Sequence, residues 1–187
     1  MGNDVRSRLA AIGTLTGSPP PLDLDQLPAE PTPMFLHWLD VAIAAGVPEP
    51  RAMTLSTVDA EGIPDARVLI LKDVGAEGWA FAGTTASAKG DQLAANPAAA
   101  LSFWWQPVMR AVRVRGPVVE ASTAECETDL QARPAAARAL VAPGTWRVWR
   151  VRPQRVEFWQ GSPDRRHVRI VHRLGASGWS HEVDVEG

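Results

Sequence analysis

From Arg51 onward apolar residues recur at every second position in short runs, and glycine or proline punctuates each run. Arg51 to Val58 and Pro64 to Lys72 read as two strands joined by Asp59-Ala-Glu-Gly62. Trp79 to Gly83 follows across Asp73-Val-Gly-Ala-Glu-Gly78 as the third strand of an antiparallel meander. Leu101 to Trp105 and Ala111 to Val119 form a second pair around Gln106-Pro107, with Val112 and Val114 facing one side and Arg113 and Arg115 the other. After Gly144 the alternation resumes in Trp146 to Arg152, in Val156 to Trp159 and in a last strand from about Arg166 to Leu174. Short strands at this spacing bury one face each by curling together. The chain is therefore expected to be mainly β, a closed or partly closed antiparallel barrel with a few flanking helices.

The helices announce themselves by their caps. Thr32-Pro33 supplies an N-cap and a first-turn proline, followed by Phe35, Trp38, Leu39, Ala42 and Ile43 on one face and a stop at Gly46. Ser87 opens a helix to about Asn96, closed by Pro97. Ser122-Thr-Ala-Glu125 is a capping box for another that stops before Pro134, and the alanine-rich stretch 135–142 has room for a further turn or two. Residues 1–31 are polar and proline-rich without a sustained period, and are expected as an arm ordered on a partner surface. Residues 32–187 are expected as one domain, large enough to bury a core without staples.

Several function classes are excluded early. The single Cys126 rules out an internal disulfide framework and a cysteine-rich metal site, and His37, His167, His172 and His181 show no ligand spacing. A net charge of -2 gives no global pull toward nucleic acid or an acidic membrane. With no apolar run of membrane-spanning length and no signal-peptide pattern, a cytoplasmic location is expected. Neither a Gly-x-Ser-x-Gly elbow, a Walker loop nor a dinucleotide fingerprint occurs.

The stretch from Arg67 to Lys89 outlines a phosphate site: a buried strand with a cation at each end, Arg67-Val-Leu-Ile-Leu-Lys72, then a polar loop feeding a helix whose first turn carries Ser87 and Lys89. A helix N-terminus offers unpaired N–H groups and positive dipole, Ser87 caps it, and Arg67 and Lys89 add full charges. Lys72 and Lys89 are the only lysines; every other basic residue is arginine. Toward the C-terminus Arg147, Arg150, Arg152, Arg155, Arg165, Arg166, Arg169 and Arg173 interleave with Trp146, Trp149 and Trp159. Such a surface suits single-stranded nucleic acid, and equally suits the solvated outer faces of strands.

Glu49-Pro-Arg-Ala-Met53, Arg67 to Lys72, Ser87-Ala-Lys89 with Asn96-Pro97, Arg113-Val-Arg-Gly116, and Val156-Glu-Phe-Trp-Gln-Gly161 followed by Arg165-Arg-His167-Val-Arg169 occur in an order and spacing that resemble the pyridoxamine 5′-phosphate oxidase family. The resemblance implies a homodimer of FMN-binding split β-barrels with flavin at the subunit interface. By the same resemblance Arg67 and Lys89 hold the FMN phosphate, with Ala82, Gly83 and Ser87 in the cofactor set. The backbone of Val68, Leu69, Ile70 and Leu71 lines the isoalloxazine, and Trp159 and Arg169 pack against flavin from the other subunit. Lys72, Arg133, Arg165 and His167 fall to the substrate, Arg165 and His167 beside the reacting atoms, and Lys72 also borders the cofactor. The implied chemistry is hydride removal from a carbon bearing an amine or alcohol, or from a reduced ring, to flavin N5, with reoxidation by oxygen; positioning dominates such a step.

The chain departs from the family pattern mostly at binding positions. Ala88 stands where the family has an arginine and Ala111 where it has a flavin-contacting glutamine. Asp129 and Ala137 stand where it has the tyrosine and serine that help Arg133 hold the substrate phosphate, and the segment after Arg133 is shorter. The resemblance thus implies FMN chemistry more firmly than a vitamin B6 phosphate as substrate. A non-catalytic barrel binding a flavin or another planar ligand is the alternative, with single-stranded nucleic acid a more distant one.

Overall fold

A computed structural model describes residues 2–186. It holds five helices, α1 (Gly2–Ala10), α2 (Pro31–Ala44), α3 (Ala88–Ala95), α4 (Thr123–Gln131) and α5 (Ala135–Arg138). Its ten strands are β1 (Ala52–Val58), β2 (Pro64–Ile70), β3 (Asp73–Gly75), β4 (Gly78–Thr84), β5 (Ala98–Trp105), β6 (Arg110–Glu120), β7 (Trp146–Val151), β8 (Arg155–Gln160), β9 (His167–Gly175) and β10 (Gly178–Glu186). Every strand pair is antiparallel, and the main path runs β10-β9-β8-β6-β5-β1-β2. None of the described helices is long and apolar enough to cross a membrane.

The sheet curls into a half-barrel because β6 changes partner along its length. Arg110–Arg115 pair with β8 while Val118–Glu120 pair with β7, which in turn pairs with β4. Gly116-Pro117 sits at the change. A side chain at Gly116 would collide with the Arg152 carbonyl, and the Pro117 carbonyl accepts from Arg152 N–H at 2.8 Å. Glycine admits the close approach and proline withdraws a donor, so one continuous strand serves two sheets.

The concave face carries the core. Leu55, Leu101, Phe103, Val112, Val156, Phe158 and Ile170 are fully buried there, under Phe35, Trp38 and Ala42 of α2. At about 25 cal/mol per Å² of apolar surface removed from water, each such side chain is worth about 2 kcal/mol. The expected face of α2 holds at Phe35, Trp38 and Ala42, whereas Ile43 is 56% exposed. Eight residues beyond Phe35 is about 80° around a 3.6-residue helix, and Met34 fills the inward position instead. The helix also starts at Pro31, with Glu30 as N-cap and no side-chain cap bond, two residues ahead of the expected Thr32-Pro33 start.

Three expectations are corrected. The third strand does not continue a meander: β2 ends at Ile70, and β4 pairs with β3 and β7, leaving one bond from Lys72 N–H to the Ala80 carbonyl, 2.8 Å, across the break. The strand after His167 is not the last, because β10 pairs along its whole length with β9. Its polar run Glu182-Val-Asp-Val-Glu186 has the period of a strand but few apolar residues to announce it. Finally, the strand expected as buried between Arg67 and Lys72 is an exposed to half-buried edge, because β2 pairs only with β1. Residues 2–10 form a helix, and residues 16–28 lie along this chain's own barrel. Ser18 N–H donates to the Pro107 carbonyl at 2.9 Å, and Leu22 and Leu27 pack on the core.

Candidate active site

The chemistry-bearing residues gather in three places. The first is where β4 ends and α3 begins. Ser87 caps the helix in extended conformation; its hydroxyl donates to the Thr84 carbonyl at 2.6 Å and accepts from Lys89 Nζ at 2.8 Å. Lys89 folds over Gly83, where any Cβ would strike its Cε and Nζ. Arg67 reaches the same corner from β2, donating to Thr57 Oγ1 and, at 2.9 Å, to Gln92 Oε1, and pairing with Asp65 at 2.5 Å. Burial first, and the nearby Arg67 charge second, lower the Lys89 pKa from the ordinary 10.5. Among the described residues no carboxylate pairs with Lys89. Two cations at a helix N-terminus, one of them partly buried without a carboxylate, suit a phosphate.

The second cluster joins the end of β2, α4 and the start of β7. Lys72 Nζ pairs with Asp129 Oδ1 at 2.9 Å, and Trp146 Nε1 donates to Asp129 Oδ2 at 3.0 Å. The Arg133 guanidinium lies 4.3 Å over the Trp146 ring. Arg67 lies within β2 and Lys72 two residues past its end, and the two serve different clusters.

The third lies on the outer face of the sheet. Trp104, Ala111, Trp159 and Arg169 occupy one rung across β5, β6, β8 and β9. Trp104 is 51% exposed, its ring centroid 6.1 Å from that of Trp159, which in turn is 5.0 Å from the His167 ring. A side chain at Gly161 would strike the Trp159 indole, so glycine there lets the ring lie back over the turn. That turn holds Arg165 at φ 67°, a left-handed conformation that a non-glycine residue adopts at a cost. Ser162 N–H donates to His167 Nδ1 at 3.1 Å, which makes Nδ1 the acceptor and leaves the ring proton of neutral His167 on Nε2. Beneath the turn Glu157 gathers Arg113, Arg155 (2.6 Å) and Arg169 (3.4 Å).

Within one chain the first two clusters sit at one end of the sheet path and the third is displaced along it. Three strands, β6, β5 and β1, separate β8 from β2. Val68 to Ile70 lie on an edge strand that pairs only with β1, so one side of their backbone is free, and Val68 is 69% exposed; Leu71 is buried. Ala82 and Gly83 pair with Val148 and Arg147 of β7. Glu157, Trp104 and Gln92 were not singled out from the sequence, and Asp129 was singled out as a departure at a substrate-phosphate position rather than as the partner of Lys72. Trp104-Trp105 carried a signal, since strand alternation forces one of two adjacent tryptophans outward. Asp129 carried none as a partner of Lys72, because that pairing crosses elements.

Part of the interleaved arginine and tryptophan set is paired or buried, while Arg165, Arg166 and Arg173 are exposed. Arg147 pairs with Glu120, Arg150 with Asp73 and Glu125, and Arg152 with Glu77, while Trp146 and Trp149 are buried. Among the described residues no three metal-binding side chains converge.

Two family models match the chain: "Pyridoxamine 5′-phosphate oxidase" over residues 39–160, and "Pyridoxine 5′-phosphate oxidase C-terminal dimerisation region" over residues 146–183. The pyridoxine/pyridoxamine 5′-phosphate oxidase of Bordetella pertussis is 37% identical, with 83% of this chain and 89% of that one covered. That of Pseudomonas paraeruginosa is 35% identical, covering 83% and 88%. In shape the chain resembles PhzG from Burkholderia lata, solved in complex with tetrahydrophenazine-1-carboxylic acid, with a TM-score of 0.82 at 23% identity over 91% of this chain and 100% of that one. It also resembles a pyridoxamine 5′-phosphate oxidase-related, FMN binding protein from Nostoc punctiforme, with a TM-score of 0.64 at 19% identity over 82% and 96%. The fold is the split barrel of these proteins.

Proposed function

Because the chain belongs to the pyridoxamine 5′-phosphate oxidase family, we propose that it is an FMN-dependent oxidoreductase, a homodimer that oxidises a small amine, alcohol or reduced ring. The observation that carries this reading is the convergence of Arg67 and Lys89 on the Ser87-capped start of α3. These residues fit the phosphate of a flavin mononucleotide: an anion there would offset the burial, and then the Arg67 charge, that lower the Lys89 pKa. Bound flavin would supply the hydride acceptor, with oxygen as the final oxidant.

The remaining roles fall to the protein's own side chains. Val68, Leu69 and Ile70, with Leu71 just past the strand, would present backbone to a planar ring, and Gly83, next to Ala82, makes room for Lys89. Trp159 and Arg169, displaced from that corner along one sheet, suit a ring held by the partner's corner, and the matched dimerisation region supports such an arrangement. His167, with its proton fixed on Nε2, is placed to orient a substrate amine or hydroxyl, and Arg165 in its strained turn to hold the substrate's anionic edge.

Replacing both Arg67 and Lys89 by alanine tests the reading. Two charge-assisted hydrogen bonds contribute about 3–6 kcal/mol, so FMN affinity should fall roughly 100-fold or more while the dimer stays folded. Unchanged affinity in a folded double variant would place the cofactor elsewhere.

A further inference from the structure

The second cluster is more than a site for a substrate anion with one residue changed. Lys72, two residues past the end of β2, projects its ammonium to the α4 residue Asp129, 2.9 Å away, and the other carboxylate oxygen takes the Trp146 indole N–H at 3.0 Å. Both oxygens are therefore engaged, and the Asp129 side chain is only 17% exposed. Arg133, the second cation of the cluster, stacks on the same Trp146 ring. Trp146 is 9% exposed and anchored in β7, so the three elements hold the carboxylate in place. The internal anion sits on the ammonium that an incoming phosphate would need. It lowers the local charge of Lys72 and Arg133 from two positive to one, and a phosphate seated there would face a like charge at contact distance.

Resting on the oxidoreductase reading above, we infer that Asp129 determines substrate specificity by filling the anion position of the substrate pocket from within. The substrate is then a planar ring compound that carries no phosphate at the edge facing α4. The Lys72–Asp129 pair with its Trp146 donor acts as a finished wall, and specificity comes from a charge already in place.

The test uses two ring probes that differ by one phosphate, pyridoxine 5′-phosphate and pyridoxine, titrated calorimetrically into the FMN-loaded protein. Its FMN content is measured first on the same preparation, so a failure of the flavin reading shows there and not in the probe affinities. The wild-type protein should bind the phosphorylated probe no more tightly than the plain one. Asp129→Asn keeps the shape and an acceptor for Trp146 but removes the charge, and should raise affinity for the phosphorylated probe at least about tenfold with the plain probe unchanged. Asp129→Ser, checked for a native melting transition, repeats the test where the asparagine variant fails to fold. A wild-type preference of tenfold or more for the phosphorylated probe, variants with an unchanged ratio, or binding of neither probe to any form would each overturn the inference.

Discussion

Glu157 lies on the outer face of the sheet and is nonetheless 3% exposed, because Arg113, Arg155 and Arg169 cover it. Burial alone would raise its pKa; the hydrogen bonds and charges of Arg113 and then Arg155 outweigh that and hold it below the ordinary 4.5. A carboxyl depressed in the folded state contributes stability that is present above 4.5 and lost as pH falls through the folded pKa. Glu157→Gln leaves three guanidinium groups without their shared anion and should cost about 3 kcal/mol at neutral pH. Its melting temperature should also lose part of the wild type's acid dependence below 4.5, and an unchanged acid limb would remove Glu157 as its source. At this scale the sequence was legible where one residue type does one job: Ser87 as cap, Lys89 in the first turn, Val112 and Val114 inward. It was not legible for Asp129 and Glu157, whose partners lie on other elements. The Lys72–Asp129 pair crosses 57 positions, and no local pattern encodes a meeting set by the curl of the sheet.

Among the elements, the segment 16–28 shows how a polar, aperiodic stretch acquires structure. It is tied down by contacts it receives rather than by its own propensity. Gln106 Nε2 donates to Thr16 Oγ1 at 2.8 Å, and Gln160 Nε2 to the Pro20 carbonyl at 3.1 Å. His172, fully buried, meets the Pro28 carbonyl through Nε2 at 3.1 Å, so the neutral ring carries its proton there, and Nδ1 is buried without a hydrogen-bond partner. Burial chiefly, and the charge of His181, lower the His172 pKa from 6.5 against the opposing pull of the Pro28 carbonyl. The unfolded chain then binds the proton more readily, so stability is full above 6.5 and falls as pH drops through the folded pKa. His172→Phe should cost about 1 kcal/mol at neutral pH for the lost hydrogen bond and should flatten the pH dependence of melting just below 6.5. A variant as acid-sensitive as the wild type in that range would show that the segment is held otherwise. The periodic elements were read from sequence to within a few residues because burial enforces their period. β10 and the three-residue β3 were missed because neither buries a regular apolar face.

For the whole molecule, the separation of the two residue groups along the sheet is what the proposed site rests on. Arg67 and Lys89 belong to an edge strand and a helix start at one end of the path, Trp159, His167 and Arg169 to strands displaced along it, and β6 with its Gly116-Pro117 switch joins the two parts. A barrel was foreseeable from the strand spacing. Its split was implied by the family resemblance and not by the alternation of β6, which does not reveal that one strand takes two partners. An interface that brings one protomer's phosphate corner to the other's tryptophan rung completes the proposed site, so flavin uptake and dimer formation should be thermodynamically linked. The decisive measurement is the visible absorbance of the freshly purified protein, with an FMN titration if it is colourless, read alongside its oligomeric state. The account predicts a flavin band, or stoichiometric uptake of one FMN per protomer, by a dimer. A folded protein with no band and no uptake would contradict it and leave a barrel that does not use flavin.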